Sequence, residues 1–408
     1  MIDKMFDVLI CGGGMTGAGL ASVLAQQGLQ VAVFEAQQPP EFDLSQTFDL
    51  RISALSPQTQ SVLARTDAWD NLKTMRACAY RRMRVWEVQG FGDLMFDAEN
   101  VKLNELGHIV ENRVTQLALW KTIEAQPEVT LLCPQKPIRT YRQGDTMHVV
   151  TESGQAYQGK LLIAADGGQS MVRQQFGIGV NRAQYQQACL VASVNTQLGQ
   201  QDITWQRFTA MGPQAFLPLP GQHGSVVWYH QADEVRRLNK LTNAELTTEI
   251  MAQFPTQLGK IEVQQKGYFN LQKQHAQEYV QDGLALLGDA AHMINPLAGQ
   301  GVNLGFQDIA CLDQVIAKAR HAGKDWWRME VLQEYQQQRR WANRLMMHTM
   351  DGFYHGFSND KTSLKWLRNS ALALASMGPV KRQVIRYAMG MEDGVGSRLA
   401  KVLGRWTG

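Results

Sequence analysis

Apolar residues in this chain follow two rhythms. Short unbroken runs at Phe6 to Cys11, Val31 to Glu35, Val129 to Cys133, Leu161 to Ala165 and Leu284 to Leu287 predict strands buried in a sheet, several closing on a glycine or an acid. From about Val180 to Gly283 the pattern alternates and is rich in aromatics. Leu190 to Val194, Thr204 to Phe208, Ala215 to Leu219 and Ser225 to Tyr229 predict a β-rich second domain, and Arg84 to Val88 with Leu94 to Phe96 predict strands of an inserted sheet. Helical spacing carries Leu20, Val23 and Leu24 up to a stop at Gly28, recurs from Val110 to Ala125, and dominates from Trp326 to Met350. Ser56 and Pro57 form a helix start, as N-cap and first-turn residue. The division this predicts is a first domain in two parts, residues 1–179 and 284–350, around a β-rich domain at 180–283. Residues 351–408 form a helical carboxyl-terminal segment.

Glycines and acids at the run ends carry the chemistry. Gly12, Gly14 and Gly17 form GxGxxG between the first strand and the first helix, and Glu35 ends the second strand about 20 residues on. Backbone N–H groups at such a helix start suit a diphosphate, and a terminal acid suits a free ribose 2′-hydroxyl. The pattern favours FAD or NAD over NADP as the tightly held ligand, without separating the first two. Asp166-Gly167 and Gly288-Asp289 close two further strands, predicting one ligand approached from two sides of a sheet. Pro296, Gly299 and Gly301 delay the next helix until about Gln300 and aim N–H groups at a phosphate or an electron-rich ring. Asp289 alone also fits an ordinary strand–turn–helix corner. Arg51 and Arg113, each near a helix start, read either as solvated charges or as cofactor contacts. Phe216, Leu217, Pro218, Trp228 and Tyr229 fit sheet core or the wall of an apolar substrate cavity at a domain junction.

Composition narrows the class. With 408 residues and a net charge of +3, the chain is a soluble globular protein of two or three domains, and no basic face or reader module predicts nucleic-acid binding. Five scattered cysteines without a CxxC pair fit a reducing cytoplasm, and the nine histidines form no HExxH or close cluster, so no metal site is expected. The first residues do not read as a signal peptide, and no run of about 18 apolar residues predicts a spanning helix. From Lys361 to Gly390 there are six basic residues and no acid. Leu364, Leu367, Ala371 and Leu374 share one helical face, with Lys361, Lys365 and Arg368 on another. This segment is either a solvated helix or an amphipathic surface for an anionic membrane.

The ordered set GxGxxG, Glu35, Asp166-Gly167 and GDAAHMINPLAGQGVNLGFQD resembles the single-component flavin aromatic hydroxylases over nearly the whole chain. Arg51 to Leu55, Thr204 to Thr209, Gly212 to Leu219 and Gly356 to Asn359 make it similar to the ubiquinone-biosynthesis branch. The resemblance implies an α/β fold with a Rossmann-like FAD-binding domain, an inserted β-rich substrate domain and a helical carboxyl-terminal segment. It implies FAD held by Gly12, Gly14, Gly17, Glu35 and Arg51, with Arg113 close by, Asp289 on the ribitol chain, and Pro296, Gly299, Gln300, Gly301 and Asn303 along the isoalloxazine side. Asp166 is associated there with both FAD and nicotinamide. The implied reaction reduces FAD with transient NAD(P)H, forms a C4a-hydroperoxide with O₂, and hydroxylates the ring of a polyprenylated benzoquinol. No side chain is assigned as catalytic acid or base. A sister hydroxylase acting at another ring position or on another aromatic compound, an FAD-dependent reductase of the same fold, and a non-catalytic flavoprotein are the alternatives. A cytoplasmic protein with peripheral contact at the inner face of the membrane, associated with a ubiquinone-biosynthesis complex, is expected.

Overall fold

The structure, a computed structural model, describes residues 5–88, 93–294 and 301–357, with side chains as far as residue 352. Its first sheet is assembled from the unbroken apolar runs. Met5–Cys11 lies between Ala156–Ala164 and Val31–Phe34 and runs parallel to both. Val129–Leu132 and Leu284–Leu286 extend the sheet on either side, again in parallel. Register decides what this sheet presents. Cys11 pairs with Ala164 and Phe34, and Ala164 pairs with Leu286. The strands therefore end level, and the residues that follow, Gly12, Glu35, Asp166 and Gly288-Asp289, emerge at one edge. This is the carboxyl edge of a parallel sheet, where open α/β folds take ligands.

The helix Met15–Gln26 covers one face of that sheet and packs against Gly301–His321 through glycines. A Cβ at Gly305 would lie 2.5 Å from the Thr16 methyl, one at Gly288 3.0 Å from it, and one at Gly19 2.9 Å from Ile309 Cδ1. Contacts this close require the bare Cα, because interiors are packed without slack.

The second sheet follows the alternating pattern. Val180–Thr196 runs antiparallel to both His223–Gln231 and Ile261–Ala276, and the sheet continues through Gly212–Leu219 to Ile203–Thr209. Arg82–Glu87 then pairs in parallel with Ile203–Thr209 and carries Asp93–Asp97 at the far edge, so strands predicted as an inserted sheet complete this one. Period-two alternation gives two faces. Leu190, Val194, Trp205, Phe216, Val226 and Trp228 form a core with Val235, Leu238, Leu246 and Ile250 of the covering helices Ala232–Lys240 and Asn243–Gln253. The opposite face carries Cys189, Val191, Val227 and Tyr229.

The final helix, Met329–Phe357, is one continuous segment. Asp351 ties it to the second sheet by accepting from Tyr185 Oη at 2.6 Å and Lys273 Nζ at 2.5 Å. Nearer its middle it joins a buried polar network. Asp308, on the preceding helix, contacts His292 Nε2 at 2.5 Å and accepts from Arg339 Nε at 2.7 Å, Asn343 Nδ2 at 3.2 Å and the Gly288 N–H at 3.2 Å. Asn343 Nδ2 also reaches Tyr279 Oη, which lies 3.0 Å from His275 Nε2. Burial alone would raise the Asp308 pKa, but His292 and Arg339 outweigh it and hold the acid down at about 2.

His275 behaves oppositely. Burial, reinforced by His292, Arg340, Arg344 and His348, lowers its pKa to about 4. Between its ordinary pKa and about 4, the unfolded chain binds this proton and the folded protein does not, so stability falls as pH falls through that window. Urea unfolding should lose roughly 1–2 kcal/mol between about pH 7 and pH 5 from this group. Substituting His275→Gln should flatten that slope. An unchanged slope in the variant would remove His275 as its source.

Candidate cofactor and substrate site

The first strand turns into the first helix directly against its neighbour. Gly12 has φ +104°, and a Cβ there would overlap the Ala165 carbonyl; a Cβ at Gly17 would overlap the Gly12 carbonyl. Gly14 is the N-cap, has no side chain to cap the helix, and faces open space. The helix start is thus left with free backbone donors and its positive end outward, suited to an anion. Glu35 is held beside it. The Gly13 N–H donates to Glu35 Oε2 at 2.9 Å, and the Gln37 N–H to Oε1 at 3.1 Å. Each carboxylate oxygen keeps acceptor capacity for ribose hydroxyls. Sequence reasoning missed what supports this turn from below. Trp120 Nε1 and Gln116 Nε2 donate to the Gly13 carbonyl at 2.7 and 2.9 Å, both from the helix Asn112–Glu124 whose spacing was legible.

Across the edge stand two acids. Asp166 Oδ2 accepts from the Val172 N–H at 3.1 Å, while Oδ1 is buried without a protein partner. Burial raises its pKa, opposed by Ser170 and the backbone N–H groups. Asp289 sits on the short turn Gly288–Ala290. Its carboxylate is open to solvent, yet protein surrounds it closely enough to raise its pKa, with His292 and Arg51 acting the other way. A group both solvent-reached and enclosed lies on the wall of a cleft. Arg51 is exposed and near enough for its charge to lower the Asp289 pKa.

Arg113 and Asn303 have their side chains engaged elsewhere. Arg113 donates through Nε and Nη2 to Asp49 at 2.9 and 3.2 Å and through Nη1 to the carbonyls of Pro40 and Glu41. It ties down the segment that leads to Arg51. Asn303 is buried, with Oδ1 accepting from the Ser56 N–H and Thr59 Oγ1 at 2.9 and 2.8 Å and Nδ2 donating to the Ala54 carbonyl at 2.8 Å. It staples the start of the helix Gly301–His321 to the strand that begins after Arg51. Gly301 opens that helix with free space at its Cβ position. Pro296, Gly299 and Gln300 lie outside the described residues.

The predicted substrate-wall residues Phe216, Pro218 and Trp228 lie on one face of the second sheet. Phe216 and Trp228 belong to the core under the covering helices, and Pro218 shares their face by alternation, so all three turn away from the cofactor edge. The other face looks toward it. A Cβ at Gly267 would lie 3.0 Å from Leu50 Cδ1, and Gln265 Nε2 donates to Thr47 Oγ1 at 2.8 Å, in the segment before Arg51. Val191 pairs with Gly267 and with Val227, and Cys189 pairs with Phe269. On this face Phe269 remains 42% exposed, and Val227 and Leu217 are only partly covered. Apolar side chains left partly open on one sheet face suit a pocket wall.

The uncapped helix, the bracketed Glu35, the unpartnered Asp166 Oδ1 and the cleft-facing Asp289 suit the diphosphate, ribose and ribityl groups of a flavin dinucleotide. The profile of the family described as "FAD binding domain" matches residues 5–349. The 3-demethoxyubiquinol 3-hydroxylase of Escherichia coli K12 is 43% identical over 96% of this chain and 100% of its own. The human mitochondrial ubiquinone biosynthesis monooxygenase COQ6 is 33% identical over 95% of this chain and 93% of its own, and the ubiquinone hydroxylase UbiL of Rhodospirillum rubrum 34% over 95% and 90%. Among solved structures, p-nitrophenol 4-monooxygenase from Pseudomonas putida DLL-E4 superposes with a TM-score of 0.76 at 18% identity, covering 96% of this chain and 99% of its own. HpxO of Klebsiella pneumoniae, solved with FAD and uric acid, gives 0.72 at 17%, covering 95% and 96%. The chain is therefore an FAD-binding protein of the flavin-dependent monooxygenase family, in the group that contains the ubiquinone-biosynthesis hydroxylases.

Proposed function

We propose that this protein hydroxylates the ring of a polyprenylated benzoquinol, with a demethoxyubiquinol as the favoured substrate and NAD(P)H as a transient reductant. The observation that supports the reading is the level ending of three parallel strands, which brings the segments carrying Gly12, Asp166 and Asp289 to one edge of the sheet. The 43% identity to the Escherichia coli hydroxylase supports the choice of ring. FAD, when bound, supplies electron transfer from the nicotinamide and oxygen transfer to the ring.

The chain's own residues bind, orient and exclude water. Gly12, Gly14 and Gly17 let backbone N–H groups approach the diphosphate, Glu35 accepts from the adenosine ribose, and Arg51 balances the diphosphate charge. Asp289 accepts from the ribityl hydroxyls, and Asp166 Oδ1 takes a donor from the cofactor or the visiting nicotinamide. In this reading Gly301 and the backbone at Asn303 serve the ring system, and the same role is proposed for Pro296, Gly299 and Gln300, which lie outside the described residues. The apolar face formed by Leu217, Val227 and Phe269 receives the quinol and keeps water from the reacting centre. A hydroquinone ring is already electron-rich, and no side chain is assigned as acid or base.

The two-part cofactor domain at 1–179 and 284–350, with the β-rich region at 180–283 as substrate domain, is part of this reading. So is a cytoplasmic protein touching the inner face of the membrane, in association with a ubiquinone-biosynthesis complex. No described helix is long and apolar enough to cross a membrane. The basic segment from Lys361 to Gly390 proposed for membrane contact lies outside the described residues.

Purified protein supplied with FAD, NADH or NADPH, and a short-chain demethoxyubiquinol should yield a quinol heavier by one oxygen. Reductant consumption without any oxygenated quinol would move the reading to a reductase. Asp289→Ala should weaken FAD binding by roughly 10–100-fold. Phe269→Ala should raise the quinol KM by roughly five- to tenfold, since about half its apolar surface is available to the ligand. Trp228→Leu should instead lower the unfolding free energy by about 1–3 kcal/mol and leave KM unchanged. The reverse pattern for these two would return the substrate to the other face.

A further inference from the structure

Resting on the reading that Gly288 and Asp289 hold the ribityl end of the cofactor, we infer that Asp308 is the positioning residue for that turn. It does so by coupling the turn to the last helix. Asp308 is fully buried, and its two oxygens divide the work. Oδ2 faces the cofactor side, accepting the Gly288 N–H at 3.2 Å and contacting His292 at 2.5 Å. Oδ1 faces the last helix, accepting from Arg339 Nε at 2.7 Å and Asn343 Nδ2 at 3.2 Å. Arg339 is itself fixed by Asn343 Oδ1 at 2.8 Å and Gln307 Oε1 at 3.1 Å. His292 stacks on Tyr279 with ring centroids 6.0 Å apart.

The turn needs such an anchor. Gly288 has φ +57°, a left-handed conformation, and it begins a single turn of three residues. Thr16 stands against its Cα on one side, which blocks displacement that way. The N–H contact with Asp308 restrains it on the other. His292, three residues beyond Asp289 in sequence, closes the same end of the turn against Asp308. The chain of contacts from Arg339 through Asp308 to the Gly288 N–H thus lets the last helix determine where the turn that carries the cofactor-facing carboxylate stands. A buried ion pair is a poor source of net stability, and its usual value is to fix one geometry.

The two ends of the cofactor separate positioning from folding. The adenosine end depends on Gly12 to Glu35, which Asp308 does not touch, and the ribityl end on the 288–289 turn. A charge-neutral pair, Asp308→Asn with Arg339→Gln, avoids leaving an unpaired buried charge, and the single Asp308→Asn is compared with it. Holoenzyme is diluted and released FAD read by fluorescence, and ADP is titrated as a competitor of FAD rebinding. FAD affinity should fall about tenfold or more in the pair, while ADP affinity stays within about twofold of wild type. Parallel losses for FAD and ADP, or no loss of FAD in a variant that has lost stability, would overturn the role and leave Asp308 as ordinary core. Wild type binding ADP as tightly as FAD would defeat the reading of the 288–289 turn itself, and this role with it.

Discussion

Thr16 occupies the point on which the cofactor edge depends. Its methyl fills the space left by two missing Cβ atoms, at Gly288 and Gly305, so three segments remote in sequence close on one side chain. This contact works together with strand register. Because Cys11, Ala164 and Leu286 end level, the turn after each strand opens into the same cleft, and Thr16 fixes the distance between the first and last of those turns. A single methylene at either glycine would separate elements that must face one ligand.

Charge is distributed around this packing point in a consistent way. Three acids, Glu35, Asp166 and Asp289, stand at the edge, and each has a different degree of internal support. Glu35 is fixed by two backbone N–H groups, Asp166 is half-satisfied, and the pKa of Asp289 is raised by burial, with His292 and Arg51 acting the other way. Raised carboxyl pKa values at Asp166 and Asp289 report acids enclosed without full hydrogen bonding, which is usual where a ligand supplies the missing partners. Asp308, one layer deeper, is fully paired and held at about 2. The open layer and the closed layer have separate tasks, recognition and support.

The first sheet was legible because its strands are unbroken apolar runs that end on glycine or acid, a pattern with few competing structures. Glu35 and the glycine turn followed from spacing alone. The surroundings of other residues were not legible, for identifiable reasons. Phe216 and Trp228 sit in a strand pattern of period two, which separates the faces but does not say which face meets the cofactor; only the covering helices at 232–253 decide that. Arg113 is basic and near a helix start, but its partners Asp49, Pro40 and Glu41 come from a loop without periodicity. Asn303 lies in the glycine-rich motif yet points into the core. The Asp308 network went unseen, although one signal was present: an acid in line with Leu304 and Leu312, on the buried stripe of a helix.

A crystal structure of the protein with FAD and a short-chain quinol tests the convergence of these elements most directly. The account predicts one FAD per chain, its adenosine ribose on Glu35, its diphosphate at the start of the first helix and its ribityl chain on Asp289. The quinol should lie between the flavin ring and the face that carries Val227 and Phe269. A flavin ring outside that cleft, or a quinol seated beside Trp228 under the covering helices, would contradict it.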